Sequence, residues 1–173
     1  MQRLGDPAEE ARTHRGLARA YRQVGRSDQA QAELVKALRR YGELGDAVGL
    51  GHTHDSLGQL YAEQSRYRQA LVHALLAVDL LRGAGDAVGE ALALNGAGWC
   101  QARLGDHERA LEYCQQALEL QRKLGDQQRE ATTLDSLSYL HHIGGDHHRP
   151  PETRGPVTSS ALLSGCGSVA CAR

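Results

Sequence analysis

Residues 104–126 read LGDHERALEYCQQALELQRKLGD, a segment that begins and ends with Leu-Gly-Asp. The same three residues stand at positions 4–6 and 44–46, and weaker copies stand at 84–86 (Ala-Gly-Asp) and 144–146 (Gly-Gly-Asp). These positions are always separated by a multiple of twenty residues. A fixed spacing of this kind indicates an internal repeat, and the repeat decides the fold.

The segments between these marks have the periodicity of α-helices. In the quoted stretch, apolar residues recur three or four positions apart at Leu111, Cys114 and Leu118. Glycine supplies the left-handed residue that closes a helix, and aspartate accepts hydrogen bonds from the free N–H groups that open the next one. The sequence therefore predicts seven helices, at residues 7–24, 27–43, 47–64, 67–82, 87–103, 107–123 and 127–143.

Two helices together form a unit of forty residues, and the units begin at Pro7, Ala47, Ala87 and Gln127. Alanines share a column in the second helix of successive units, where two helices must approach closely. These alanines are Ala30, Ala70 and Ala110. In the first helix, the aligned sets are Leu17, Leu57, Ala97 and Leu137, and Tyr21, Tyr61, Gln101 and His141. We expect these columns, His141 included, to pack between helices.

The paired helices resemble the tetratricopeptide repeat. The stretch LGQLYAEQSRYRQALVHALLAV at 57–78 carries this family's Leu-Gly-x-x-Tyr, followed by its two alanines. The resemblance covers about residues 7–149, in units of forty residues rather than the more common thirty-four. Such units are similar to the arrays of bacterial transcription regulators, actinobacterial ones among them, and of signalling ATPases. The resemblance implies an all-α, right-handed α–α superhelix that binds a protein or peptide.

The repeat pattern also sets the expected domain limits. Residues 1–6 are predicted to be the remnant of a preceding repeat, and residues 7–149 to form three full repeats and a terminal capping helix. Pro150 and Pro151 occupy columns that the array fills with helix, and a helix interior excludes proline. Residues 150–173 are therefore predicted to be a disordered tail or foreign sequence, and both ends fit a fragment of a longer array.

The composition excludes several classes of partner. The formal net charge is −1, so no global charge favours nucleic acid or an anionic membrane. No apolar run approaches the roughly 20 residues of a membrane span, and the first residues do not resemble a signal peptide. The four cysteines form no CxxC pair or disulfide framework. We expect a soluble, cytoplasmic protein without membrane or direct nucleic-acid partners.

The resemblance implies that the first helix of each unit lines the concave groove where partners bind. The candidate groove residues are Arg12, Arg15, Arg19, Arg22, His52, Asp55, Gln59, Asn95, Trp99, Asp135, Tyr139 and His142. The arginines are three or four residues apart and form one stripe on the first helix. Arginine binds carboxylates, and the amide and aromatic groups offer contacts to an extended peptide or an acidic helix. The alternative is that the arginines form only a solvated face.

A second candidate surface lies on the helix YRQALVHALLAVDLL, residues 67–81. Its Val72, Leu75 and Leu76 stand where the next unit has polar residues, in columns that should face solvent on the convex side. Together with Val35 they would form an exposed apolar patch, and such patches usually mark contacts. A homodimer through this convex patch is one hypothesis, and local burial of these side chains is the alternative.

No set of residues converges on a catalytic or cofactor site. The histidines of HHIGGDHH at 141–148 invite a metal, but adjacent histidines on a helix point apart and no thiolate completes the set. Cys100 and Cys114 fall on faces expected to be buried, so we interpret them as core residues. No phosphate-binding glycine loop is present. We expect a non-enzyme without cofactor or metal. A small-molecule or metal sensor remains an alternative, and direct DNA binding is least favoured.

Overall fold

The computed structural model describes residues 6–146, with side chains through residue 142, and contains seven α-helices and no strand in that range. Helix α1 spans Pro7–Gln23, α2 Ser27–Leu44, α3 Ala47–Glu63, α4 Tyr67–Gly83, α5 Ala87–Leu104, α6 His107–Leu124 and α7 Gln127–Asp146. The predicted starts are confirmed. The predicted end of α7 was wrong, because this helix continues through Gly144 and Gly145: glycine permits a left-handed stop but does not impose one.

Glycine and aspartate mark most turns as predicted. The turn glycines with a positive φ are Gly25, Gly45, Gly85, Gly105 and Gly125. Aspartates precede five of the helices and accept a backbone hydrogen bond, as Asp46 Oδ1 does from Gly49 N at 2.8 Å. Helices α2 and α4 begin without a side-chain cap. Before α4 the left-handed position is held by Ser65, a conformation that costs a non-glycine residue about 1–2 kcal/mol.

The helices pack as antiparallel pairs, and successive pairs stack into a right-handed α–α superhelix. Each helix contacts the next one along the chain. Helices α1, α3, α5 and α7 also contact one another in that order, so the first helices of the units form one continuous side. Apolar clusters fill the space between the pairs, one around Leu60 and another around Leu81. This arrangement places the predicted groove residues side by side on α1, α3, α5 and α7.

Small residues let the two helices of a pair approach closely. Ala30, Ala70 and Ala110 are fully buried, which confirms the predicted column. At Gly98 of α5, an added Cβ atom would lie 2.5 Å from Cys114 Sγ and 3.0 Å from the Ala110 carbonyl oxygen of α6. A side chain does not fit in that space, so glycine sets the distance between these two helices.

The two described cysteines belong to the core, as predicted. Cys100 is 3% exposed and Cys114 is fully buried, and both are free thiols. Burial raises the pKa of each thiol to about 11. Both side chains are therefore neutral at pH 7, and they fill the space of small apolar residues.

Two aligned positions depart from the expected packing at the ends of the array. Leu17 aligns with the buried Leu57 but is 44% exposed, and His141 aligns with the nearly buried Tyr61 but is exposed. In the described part of the chain, no helix packs on the outer side of α1 or of α7. The expectation that His141 would be packed was therefore wrong.

Some predictions fall outside the described range. They concern the tail at 150–173 with its prolines, and the remnant repeat at 1–6 apart from Asp6, which caps α1. Among the helices of residues 6–146, none combines the length and the apolar character that a membrane span requires.

Candidate functional site

The arginine stripe lines a cavity between α1 and α3. This basic cavity has a volume of about 360 Å³. Its polar lining includes Arg12, Arg15, Arg19, Arg22, His52, Asp55 and Gln59, all from the predicted groove set. Four arginines thus face one carboxylate in the lining, and the cavity carries an excess of positive charge.

Three of these arginines have no directly bonded partner among the described residues, although Arg15 acts electrostatically on Asp55. Arg12, Arg15 and Arg19 make no hydrogen bond or ion pair there, whereas most exposed arginines on the second helices pair with a glutamate or aspartate. Arg22 differs, since its Nη1 donates to Gln59 Oε1 at 2.7 Å and its Nε lies 3.3 Å from Glu63 Oε1. A guanidinium without a protein partner is available for two-point binding of a carboxylate.

Asp55 occupies the middle of the groove. Its Oδ2 accepts a hydrogen bond from Gln59 Nε2 at 2.7 Å, so Arg22, Gln59 and Asp55 form one hydrogen-bonded chain between α1 and α3. Burial raises the pKa of the Asp55 carboxyl above its ordinary value, although His52, Gln59 and the nearby arginines act in the opposite direction. The ionised form of Asp55 is therefore held against a desolvation penalty.

We expect Asp55→Asn to raise the thermal midpoint of unfolding at pH 7. Because the folded-state pKa is raised, Asp55 stabilises the fold below the unfolded pKa of about 4, and this contribution is lost as the pH rises through the folded pKa. Asparagine removes the charge and keeps an oxygen that accepts from Gln59. Thermal unfolding followed by circular dichroism should show a gain at pH 7 that disappears below about pH 4. A loss of stability at pH 7 would mean that the arginines outweigh burial.

A second, more apolar cavity lies beside the first, between α3 and α5. This apolar cavity has a volume of about 290 Å³ and shares Asp55 and Gln59 with the basic cavity. Leu92, Asn95 and Trp99 of α5 contribute to its lining. The two cavities are therefore adjacent and form a charged half and an apolar half of the groove.

An aromatic pair stands at the edge of the apolar cavity. The rings of Trp99 and Tyr139 have centroids 5.5 Å apart, and the two side chains are 39% and 40% exposed. Tyr139 itself lines neither cavity, and α7 contributes Ser136 to the lining of the apolar cavity. Asp135 and His142 are also exposed on α7, but they line neither cavity. The structure thus brings the predicted groove residues of α1, α3 and α5 together and leaves Asp135, Tyr139 and His142 of α7 outside both linings.

The sequence-based set did not include a column of small residues that lies in the groove. One member stands in each unit: Gly16, Ser56, Gly96 and Ser136. The first two line the basic cavity and the last two line the apolar cavity. An added Cβ at Gly96 would meet no atom within 4 Å, so the glycine leaves open space there. The forty-residue alignment was the signal that could have identified this column.

The predicted convex patch is only partly exposed. Val35, Val72 and Leu76 are 55%, 57% and 42% exposed, whereas Leu75 is half-buried. Local burial therefore accounts for Leu75 and not for the other three. The exposed side chains lie on α2 and α4, the second helices of their units, away from the groove-lining helices.

The histidines do not form a metal centre in the described residues, where no group of three or more potential ligands occurs. His141 and His142 are exposed, and His147 and His148 lie outside the described range. Sequence reasoning missed a different contact, in which His54 Nδ1 and His73 Nδ1 lie 3.0 Å apart between α3 and α4.

The pair of His54 and His73 is part of the packing between the two helices of the second unit. Burial lowers the pKa of both His54 and His73, and the ring of His73 stacks on Tyr61 with centroids 5.3 Å apart. Neither histidine lines the basic or the apolar cavity. The neutral pair therefore contributes to the contact between α3 and α4 and does not contribute to the groove.

Comparison with known proteins gives a family and a set of similar folds. A family model described as tetratricopeptide repeat matches residues 9–83 and 89–149. No curated protein matches the chain significantly. Several solved structures do match, at identities that establish likeness of fold alone.

Three of these structures illustrate the match. Apo RapI has a TM-score of 0.76 at 18% identity, over 84% of this chain and 40% of RapI. A Rap protein complexed with Competence and Sporulation Factor has a TM-score of 0.74 at 20% identity, over 84% and 41%. A STAND signal transduction ATPase with a tetratricopeptide repeat sensor, from Pyrococcus horikoshii, has a TM-score of 0.73 at 20% identity, over 85% and 23%. The chain thus spans less than half the length of these proteins.

Proposed function

Since the chain belongs to the tetratricopeptide repeat family, we propose that it is the partner-binding part of a bacterial regulatory protein. Scaffolds of this family typically mediate protein interactions. In this proposal the concave groove holds an acidic segment of a partner protein or peptide. The array makes and breaks no bond and acts as a curved binding surface in the cytoplasm.

The observation that carries the proposal is the set of unpaired arginines. Arg12, Arg15 and Arg19 lie on one face of α1 and line a cavity in which four cations face a single carboxylate. A partner carboxylate that enters this cavity gains charge-assisted hydrogen bonds without displacing an existing ion pair of these three residues. The four arginines surround one cavity, whereas residues of a merely solvated stripe would point into open solvent. This arrangement favours an anionic partner.

Two of the similar structures support a regulatory role. One is a signal transduction ATPase whose tetratricopeptide repeats are described as its sensor. The other is a Rap protein complexed with Competence and Sporulation Factor. We extend this role to the present chain as part of the proposal, because a sensor needs a binding surface and the groove offers one.

We expect affinity capture from a lysate of the native host to recover a partner with the wild type and to lose it with Arg15→Glu/Arg19→Glu. Each reversal turns attraction into repulsion, so the recovered amount should fall at least about tenfold. The matched control is Arg39→Glu/Arg68→Glu, which changes the net charge equally at exposed positions of α2 and α4. Quantitative mass spectrometry compares the eluates after circular dichroism has verified that both variants are helical.

A partner that stays bound to Arg15→Glu/Arg19→Glu would contradict the proposal, because the arginines would then be only a solvated face. Loss of the partner from both double variants would also contradict it, since a general change of charge would be sufficient.

Self-association through the convex patch is the second candidate function. It is favoured by the exposure of Val35, Val72 and Leu76. Light scattering tests this function, since a monomeric mass at all accessible concentrations would exclude a homodimer. A small-molecule or metal sensor is the remaining alternative, and it predicts a thermal shift with the ligand and none with an acidic peptide.

A further inference from the structure

We propose that the groove recognises a two-part motif, in which an acidic side chain and a large apolar side chain lie about two to four residues apart in an extended segment. This inference rests on the proposed function, because it assumes that the basic cavity binds a carboxylate. The inference adds the apolar side chain of the ligand and its distance from the acidic side chain.

The two halves of the groove adjoin each other. The basic cavity lies between α1 and α3, the apolar cavity lies between α3 and α5, and both include Asp55 and Gln59. The column of small residues Gly16, Ser56, Gly96 and Ser136 contributes to both cavities. With no large side chain in this column, an extended backbone can cross from one cavity to the next.

The apolar half has the features of a pocket for one large side chain. Leu92 and Trp99 are 37% and 39% exposed although they line a concave space, and Tyr139 supports the Trp99 ring from α7. Apolar surface that is both exposed and concave gains free energy when a leucine or aromatic side chain covers it. The unoccupied volume above Gly96 offers the room.

Asn95 offers a contact for the backbone of the same segment. Its Oδ1 accepts from Cys114 Sγ at 3.7 Å, which leaves the amide nitrogen without a hydrogen bond among the described residues. An amide N–H₂ directed by this contact can donate to a carbonyl oxygen of the bound segment. The lining thus combines a side-chain pocket with a backbone contact, as extended peptides require.

The helix spacing sets the distance between the two parts of the motif. Neighbouring helix axes are about 8–10 Å apart, and the two cavities are offset by one such step along α1, α3 and α5. An extended chain advances about 3.3 Å per residue, so about three residues span the step. The carboxylate of Asp55 at the junction disfavours an acidic side chain in the apolar cavity, so the acid belongs at the arginine end.

Synthetic peptides test the motif directly. Each carries two adjacent glutamates and one leucine in a Gly-Ser background, with one, three, five or eight residues between them, and blocked termini. Matched peptides lack the leucine or carry glutamine in place of glutamate. Trp99 is the only tryptophan of the chain, so its fluorescence reports on the apolar cavity, and calorimetry gives the affinity.

We expect the peptide with a spacing of about three to bind at least about tenfold more tightly than its leucine-free counterpart, and the peptide with a spacing of eight to show a gain that is about fourfold smaller. Gly96→Leu fills the apolar cavity from within, so it should abolish the gain from leucine and leave the binding of leucine-free acidic peptides unchanged. Arg15→Glu/Arg19→Glu should abolish the binding of both kinds of peptide.

The outcomes separate the two proposals. If acidic peptides bind and leucine gives no gain at any spacing, the two-part motif is overturned and the proposed function stands. The same holds if the gain survives Gly96→Leu or is equal at every spacing. If no acidic peptide binds, the proposed function and the motif are both overturned.

Discussion

Replacing Leu81 with alanine should lower the free energy of unfolding by about 2–5 kcal/mol, the usual cost of a large cavity in a packed core. Leu81 of α4 is fully buried and packs in a cluster with Leu94 of α5 and Ala117 of α6, so it joins the second unit to the third. Urea denaturation followed by circular dichroism measures the loss. The control Leu76→Ala lies on the same helix at 42% exposure and should change stability by about 0.5 kcal/mol or less.

A second substitution opposite Leu81 should recover part of this loss. An added Cβ at Gly51 would lie 2.6 Å from Leu81 Cγ and 2.8 Å from Leu81 Cδ2. Gly51→Ala should therefore destabilise the wild type by about 1–3 kcal/mol. In the Leu81→Ala background it should stabilise, because the methyl group enters vacated space and alanine favours a helix over glycine by about 1 kcal/mol.

The double-mutant cycle measures this change of sign as a coupling free energy. Additive effects of Gly51→Ala and Leu81→Ala would contradict the prediction, because they would show that the Leu81 side chain does not fill the space over Gly51.

Two glycines of α5 should respond to alanine in opposite directions. Gly98→Ala should destabilise the fold by about 1–3 kcal/mol, because its Cβ would collide with Cys114 Sγ and the Ala110 carbonyl oxygen. Gly96→Ala, two residues earlier, should be neutral or stabilise by up to about 1 kcal/mol, since its Cβ meets open space. Urea denaturation of the two variants gives the difference.

A further variant separates the two contacts at Gly98. Cys114→Ala combined with Gly98→Ala removes the 2.5 Å contact and leaves the backbone contact at 3.0 Å, so the rescue should be partial. Equal effects of Gly96→Ala and Gly98→Ala would contradict the proposed role of Gly98 in setting the distance between α5 and α6.

The helices were predictable because their limits depend on local chemistry. An aspartate side chain that accepts from a backbone N–H two or three residues later determines where a helix begins, as Asp46 and Asp106 do. The end of α7 was not predictable in this way, because Gly144 and Gly145 have the same local signal as the true turns. The exposure of Leu17 also depended on which helices lie nearby, and a column alignment does not contain this information.

The groove was predictable as a set of positions and not as a set of contacts. The forty-residue register places Arg15, His52 and Trp99 on the same side of the array, and the cavities include them. Which arginines remain unpaired depends on side-chain conformations, since Arg22 reaches Gln59 and Arg19 does not. The apolar cavity depends on the open space at Gly96, and the sequence alone does not show which helical glycines face open space and which face a neighbouring helix, as Gly98 does.

The pattern of contacts along the array has a mechanical consequence. Within residues 6–146, every contact joins helices that are at most two places apart in the chain, so α1 never touches α5. In such an array, small rotations between successive units add up to a bending of the whole array. A segment bound across α1, α3 and α5 would contact three successive units and would restrict the rotation between each neighbouring pair. Binding in the groove would then reduce the range over which the far end of the array moves.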